Sequence, residues 1–263
     1  MSKTIALIQG ASRGVGLQFC RTLLARESLV HVIATCRSPD TASDLLALKN
    51  NQNVSDRLNI LQVNVENESH IKVAAELVED QYGRVDLLVN CSGILHPSGR
   101  GETSLKDVTL EGLQNTCSIN AFGPLLMGKH FGKLLMKGSG SFGVQSENSK
   151  EQHNGILINI SAKVGSITDN GLGGWYSYRL SKSALNMATK NLSIELGRGK
   201  NKVICVSLHP GTVDTDLSRP YHKNVKTLFS TEESVSKLLN VIDSLSLNDS
   251  GKFYTYDRQL LPF

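Results

Sequence analysis

No run of this sequence is apolar for the roughly 20 residues that a helix needs to cross a bilayer, so no membrane partner is expected. Cysteine is sparse and unpatterned. Cys20, Cys36, Cys91, Cys117 and Cys205 are odd in number, widely spaced and free of any Cys-x-x-Cys. That pattern argues against a disulfide framework and against a zinc site, and predicts reduced, buried thiols. Aromatic residues make up only 5% of the chain, and no dense Lys/Arg tract is interleaved with them. A nucleic-acid surface is therefore not expected. The net charge of +4 is too mild to change this, although it favours a phosphorylated small molecule. No cleavage-like segment precedes the first apolar run at Thr4, so a leader peptide is not expected and a cytoplasmic setting is.

Glycine is plentiful, at 23 residues, and suits a fold with many tight turns and close backbone approaches. A length of 263 residues fits one large domain. Short β-branched runs alternate with longer amphipathic stretches. The expected strands are Thr4–Ile8, His31–Thr35, Leu58–Val63, Val85–Val89, Ile156–Ile160, Val203–Ser207 and Lys252–Tyr256. The expected helices cover 14–27, 40–50, 67–82, 107–137, 175–198 and 231–245. Near-continuous apolar strands alternating with helices predict an α/β fold, a single Rossmann-type domain over 1–263. Its doubly wound parallel seven-stranded sheet would carry helices on both faces. The polar, Gly/Ser-rich segment 137–155 reads as a mobile surface loop.

Two constellations carry chemistry. The first strand runs into Gly10-Ala-Ser12-Arg13-Gly14-Val15-Gly16, then a helix. Glycines there let backbone N–H groups and a helix N-terminus approach a pyrophosphate. A site for NAD would place an acid after the second strand to hold the ribose 2′-hydroxyl. This chain has Arg37 there, with Arg13 in the loop, and two cations suit a 2′-phosphate, so NADP(H) is expected. The second constellation is Tyr178 and Lys182. Spacing i, i+4 puts them on one helix face, and a cation close by would pull a phenol from its usual pKa of about 10 toward neutrality.

These motifs occur in a fixed order. The glycine loop is followed by Asn90-Cys-Ser-Gly93, Asn120, a fifth strand ending in Ser161, Tyr178/Lys182, and Pro210-Gly211-Thr-Val213-Asp-Thr215. The whole chain resembles the short-chain dehydrogenase/reductase family. Val164-Gly-Ser-Ile167, Tyr176-Ser-Tyr178-Arg-Leu-Ser-Lys182 and His209-Pro-Gly211 are most similar to the branch of bacterial C-factor and the insect carbonyl reductase sniffer. The resemblance implies an NADPH-dependent reductase of a small carbonyl substrate, such as an aldehyde, ketone or quinone. Tyr178 would be the proton donor, Lys182 its tuner, and Asn120 the holder of a water. It also implies cofactor contacts from Gly10, Ser12, Arg13, Gly14, Val15, Gly16, Arg37, Asn64, Val65, Asn90 and Gly93, from Tyr178 and Lys182, the latter on the nicotinamide ribose, and from Pro210, Gly211, Val213 and Thr215. The segment at about 212–230 would be a substrate lid. Homodimers or homotetramers are compatible with the family.

One position departs from the family. Its serine, which orients the carbonyl, stands three residues before a glycine that here is Gly165, so the position holds Ala162. Ser161 is one residue too early, and strand neighbours face opposite ways. Either the strand end twists to present Ser161, or Ser166 or a water replaces it. The alternative function is a nucleotide-binding signalling protein of the C-factor type with little catalysis.

Overall fold

The structure is a computed structural model that describes residues 3–26, 29–147 and 152–263. Seven parallel strands form one sheet: β1 (Thr4–Gln9), β2 (Val30–Cys36), β3 (Leu58–Gln62), β4 (Leu87–Asn90), β5 (Gly155–Ile160), β6 (Val203–His209) and β7 (Phe253–Thr255). Their spatial order is β3-β2-β1-β4-β5-β6-β7. Every residue of β1, β4 and β5 is buried, as expected of strands covered on both faces. The direction of winding reverses between β1 and β4. In open parallel sheets that reversal opens a crevice at the carboxyl ends of the strands.

Seven α-helices cover the faces: α1 (Gly14–Arg26), α2 (Ser43–Lys49), α3 (Glu68–Tyr82), α4 (Leu110–Cys117), α5 (Gly123–Leu135), α6 (Tyr176–Glu195) and α7 (Thr231–Asp243). One buried apolar cluster lies on the α1/α7 side, with Phe19, Leu23, Ile158, Leu238 and Ile242 among its members. The other, on the α3/α5 side, includes Ile71, Phe131 and Leu157. Capping explains several helix boundaries. Asn67 accepts the Ser69 N–H at the start of α3, Gly83 closes α3 in the left-handed region, and a Ser230/Glu233 capping box opens α7. None of the helices is long and apolar enough to cross a membrane, among the described residues.

One expectation is corrected. The single helix over 107–137 is two helices joined by a wide turn at Ser118–Phe122. Pro124 has no N–H to give the Asn120 carbonyl, and the Gly123 N–H reaches back five residues to the Ser118 carbonyl. The described parts of 137–155 make several contacts with the body of the domain. Ser139 donates to buried Asp86 through its N–H (2.6 Å) and hydroxyl (2.7 Å). Phe142 and His153 are buried, and His153 Nε2 lies 2.8 Å from the Phe142 carbonyl oxygen. Residues 148–151 fall outside the described residues.

Candidate active site

The glycine loop sits between the end of β1 and the start of α1, at the crevice. Gly10 has φ +80°, and a Cβ there would stand 2.6 Å from the backbone N and the hydroxyl of Ser92. A Cβ on Gly16 would collide with the Gly10 carbonyl, so α1 can press against the end of β1 only because residue 16 is glycine, while glycine at position 10 makes room for Ser92. The result is a glycine-rich loop that leads into the N-terminus of α1, whose backbone N–H groups suit a pyrophosphate. Ser12 and Val15 are half-buried, and Val15 packs on the core beneath the loop. Thr215, from the far side, approaches Gly14: its Cγ2 would be 3.3 Å from a Cβ there. The segment after β6 thus meets the phosphate loop directly.

The other expected cofactor contacts fall along the same edge of the sheet. Arg37 is exposed just past β2. Arg13 pairs with Asp216 at 3.3 Å, and Asp216 also pairs with Arg219. Both Arg13 and Asp216 are largely exposed, so their pairing is weak and readily exchanged for another anion. Asn64 uses Oδ1 to close a turn with the Glu66 N–H, which leaves its Nδ2 as a donor. Val65 is different. Its side chain is buried against the start of α5, where a Cβ on Gly123 would meet it at 2.6 Å. Asn90 donates to Asn159, which donates to Thr189 on α6, and the Asn90 Oδ1 is buried without a partner. Gly211 has φ +79° and faces Phe229 and Tyr256. The Pro210 carbonyl accepts from Ser234, and the Val213 carbonyl accepts from Ser218 and Thr215.

Tyr178 and Lys182 lie on the buried face of α6, with relative exposures of 8% and 3%. Lys182 Nζ donates to the Ile160 carbonyl at 2.8 Å and sits 5.7 Å from the centre of the Tyr178 ring. The electrostatics differ from expectation. Burial raises the proton affinity of Tyr178, and burial also lowers the Lys182 pKa, to about 8. Desolvation dominates over the neighbouring cation, so the phenol holds its proton at neutral pH. Asn120 lies nearby: a Cβ on Gly93 would be 3.4 Å from its Oδ1 and 3.7 Å from Lys182 Nζ. Asn120 Nδ2 donates to the Ile94 carbonyl and to Ser181, and its Oδ1 accepts the Ile94 N–H. Within the side chain only the second lone pair of Oδ1 remains for a water, while the Asn120 backbone carbonyl lacks the N–H that residue 124 would have given it.

Ser161 does not join this group. Its hydroxyl donates to Asn186 Oδ1 at 2.8 Å, deep against α6. Ala162 has φ −146° and ψ 145°, so the strand alternation continues without a twist and turns the methyl group toward Tyr178. Ser166 is buried and its oxygen accepts the Asp169 N–H, closing a turn. The surroundings of Tyr178 are instead apolar: Leu95 and Ala162 beside it, with Val164, Trp175, Leu217 and Tyr221 packed around them. Leu95, Trp175 and Leu217 carry no motif signal. The one hint is that the chain's single tryptophan follows two glycines directly ahead of the tyrosine pair.

Comparison with known proteins agrees with this geometry. The short chain dehydrogenase family profile matches residues 4–226. C-signal of Myxococcus xanthus is 32% identical over 69% of this chain and 94% of its own length. Among solved structures, the NADPH-bound carbonyl reductase from chicken fatty liver superposes with a TM-score of 0.84 at 30% identity, covering 100% of this chain and 99% of that one. The carbonyl reductase Sniffer of D. melanogaster has a TM-score of 0.84 at 29% identity, with 100% of both chains covered. This chain therefore belongs to the short chain dehydrogenase family of oxidoreductases, in the branch of C-signal and the Sniffer-like carbonyl reductases.

Proposed function

We propose that the protein reduces a carbonyl to an alcohol with NADPH, and that Tyr178 donates the proton. The observation that carries this reading is the burial of Tyr178 and Lys182 together on α6, beside the glycine loop and at the carboxyl ends of the strands. When bound, NADPH supplies the hydride. Tyr178 holds its proton at neutral pH because burial disfavours the phenolate, so it meets the substrate oxygen as a donor. As the proton leaves, charge grows on the phenol oxygen. Lys182 stabilises it as a cation, since a pKa of about 8 leaves it mostly protonated at neutral pH. The Ile160 carbonyl fixes its ammonium group. Arg37 and Arg13 are the cations available to a 2′-phosphate, and the NADPH named in the chicken structure supports the same choice.

The pocket also speaks to the substrate. The side chains packed around Tyr178 are apolar and aromatic, and Ala162 offers no second hydroxyl to the carbonyl oxygen. An activated carbonyl, such as a reactive aldehyde or a quinone, needs the least help of that kind. The segment 212–230, which brings Leu217 and Tyr221 over Tyr178, acts as the substrate lid.

The test is NADPH oxidation over a panel of aldehydes, ketones and quinones. Tyr178→Phe is expected to lower turnover by about 10²–10⁴-fold, the usual worth of a general acid, while NADPH affinity stays within about threefold. Equal turnover by the variant would refute the mechanism. Tight NADPH binding by the wild type with no turnover anywhere on the panel would instead favour a non-enzymatic nucleotide-binding role, the direction in which the name C-signal points.

A further inference from the structure

Glu102 is a buried carboxylate that no part of the reaction above requires. Its side chain is 2% exposed. A carboxylate taken out of water is costly unless donors replace the water. Here the donors come from the first turn of α6. The Ser177 N–H lies 3.1 Å from Glu102 Oε1 and 3.4 Å from Oε2, and the Ser177 hydroxyl donates to Oε1. The carboxylate thus occupies the positive end of the helix that carries Tyr178, one residue before the tyrosine.

The backbone of Glu102 holds the same place. Its carbonyl accepts the Trp175 N–H at 2.6 Å. Trp175 needs such a restraint, because it has φ 49° and ψ 45°, a left-handed conformation that costs a bulky side chain, directly after Gly173 and Gly174 at φ +65° and +64°. Strain of this kind persists only where the surroundings fix it. The neighbouring Gly101 has no Cβ because the Trp175 ring would lie 2.6 Å from it, and the Gly101 N–H donates to the Tyr221 hydroxyl at 2.9 Å. The Trp175 ring then packs against Tyr221 at 4.7 Å between centroids and edge-on to Tyr178 at 6.2 Å.

A third group faces the carboxylate. His96 Nδ1 accepts the Ser98 N–H at 3.2 Å, and a backbone N–H can only donate, so the neutral ring carries its proton on Nε2. That Nε2 is buried, has no hydrogen-bond partner, and stands 4.0 Å from Glu102 Oε1. Loop 91–104 and the head of α6 therefore converge on one acid, with Tyr221 of segment 212–230 held at the adjacent Gly101 N–H.

We infer that Glu102 is a positioning residue: its carboxylate and carbonyl hold the strained Trp175 and the first turn of α6, and so fix where Tyr178 and the aromatic pocket wall stand. The catalytic part rests on the proposed reaction; the structural part does not. Trp175 is the only tryptophan in the chain, so its fluorescence reports the clamp without any activity assay.

Glu102→Leu keeps the buried volume and removes the charge and its acceptors, so the fold can survive it. In that variant, Trp175 emission is expected to move to longer wavelength. Turnover per NADPH-binding site is expected to fall at least tenfold, with NADPH affinity within about threefold. Glu102→Gln can still accept from the Ser177 N–H and should recover wild-type emission and most of the turnover, which a purely volumetric role would not predict. Ser177→Ala deletes only the hydroxyl donor and should shift emission the same way by less. Wild-type emission in Glu102→Leu overturns the inference, as does wild-type emission in Ser177→Ala should the Leu variant not fold. If emission shifts but neither the wild type nor any variant turns over the carbonyl panel, the clamp stands and the proposed reaction falls.

Discussion

Ala162 puts a methyl group where a carbonyl oxygen beside Tyr178 would otherwise meet a second hydroxyl. The cause is one of parity. Side chains along β5 alternate, Ile160 and Ala162 share one direction, and Ser161 takes the other, toward Asn186. Which residue occupies the position is legible in the sequence, by counting back from Gly165. Which way Ser161 points is not, because a twisted strand end is equally consistent with the letters. The surroundings of Tyr178 are hidden in the sequence for a related reason. Spacing predicts a nearby cation, but only the folded structure shows that burial outweighs it. In the proposed reaction, Ala162→Ser restores a donor at little cost in volume. Losing one such donor costs other enzymes about 10²–10³-fold in turnover, so the variant is expected to gain about tenfold or more in kcat/KM on unactivated ketones. Reactive quinones, which need less help, should gain less. Steady-state kinetics on both substrate types checks this, and no gain on either would mean that another donor, such as a bound water, already serves the carbonyl.

At the scale of elements, strands were easier to read than helices. Each of the seven is a short, largely apolar run, and the expected segments overlap every observed one. The long helix over 107–137 failed at its middle. Its apolar pattern continues across Ser118–Phe122, yet the backbone widens there. Pro124 is the local signal. The tertiary cause is Asn120, whose side chain makes three hydrogen bonds that tie the turn to Ile94 and Ser181. Those bonds join loop 91–104 to both α4/α5 and α6. Asn120→Ala would leave the Ile94 N–H and carbonyl with no protein partner, and each unsatisfied buried group costs about 1–3 kcal/mol. A loss of about 2–4 kcal/mol in urea unfolding is expected, together with lower turnover. A loss under about 0.5 kcal/mol, the range of ordinary surface substitutions, would show that water replaces the amide without penalty.

At the scale of the molecule, the parallel sheet gathers distant segments at one edge, so residues far apart in the motif order come to lie together. Gly10 follows β1, Arg37 follows β2, Asn90 ends β4 and Pro210 follows β6. What the order could not supply was the apolar wall of Leu95, Trp175 and Leu217, or the anchored course of 137–147, since these depend on packing between segments with no periodic pattern. The choice of cofactor is a property of the same edge. Arg37 is exposed, lies outside the core, and can be changed without disturbing the sheet. A hydrogen bond to a charged group is worth about 1.5–3 kcal/mol, or roughly ten- to hundredfold in affinity. Arg37→Asp removes a cation that would face the 2′-phosphate and offers a carboxylate that can accept from a 2′-hydroxyl. The NADPH dissociation constant is therefore expected to rise at least tenfold while that of NADH falls, both read by calorimetry at fixed ionic strength. Because Arg13 remains, some preference for NADPH should survive the single change and vanish in the pair Arg13→Ala with Arg37→Asp. An unchanged ratio of the two dissociation constants in the double variant would show that neither arginine reads the phosphate.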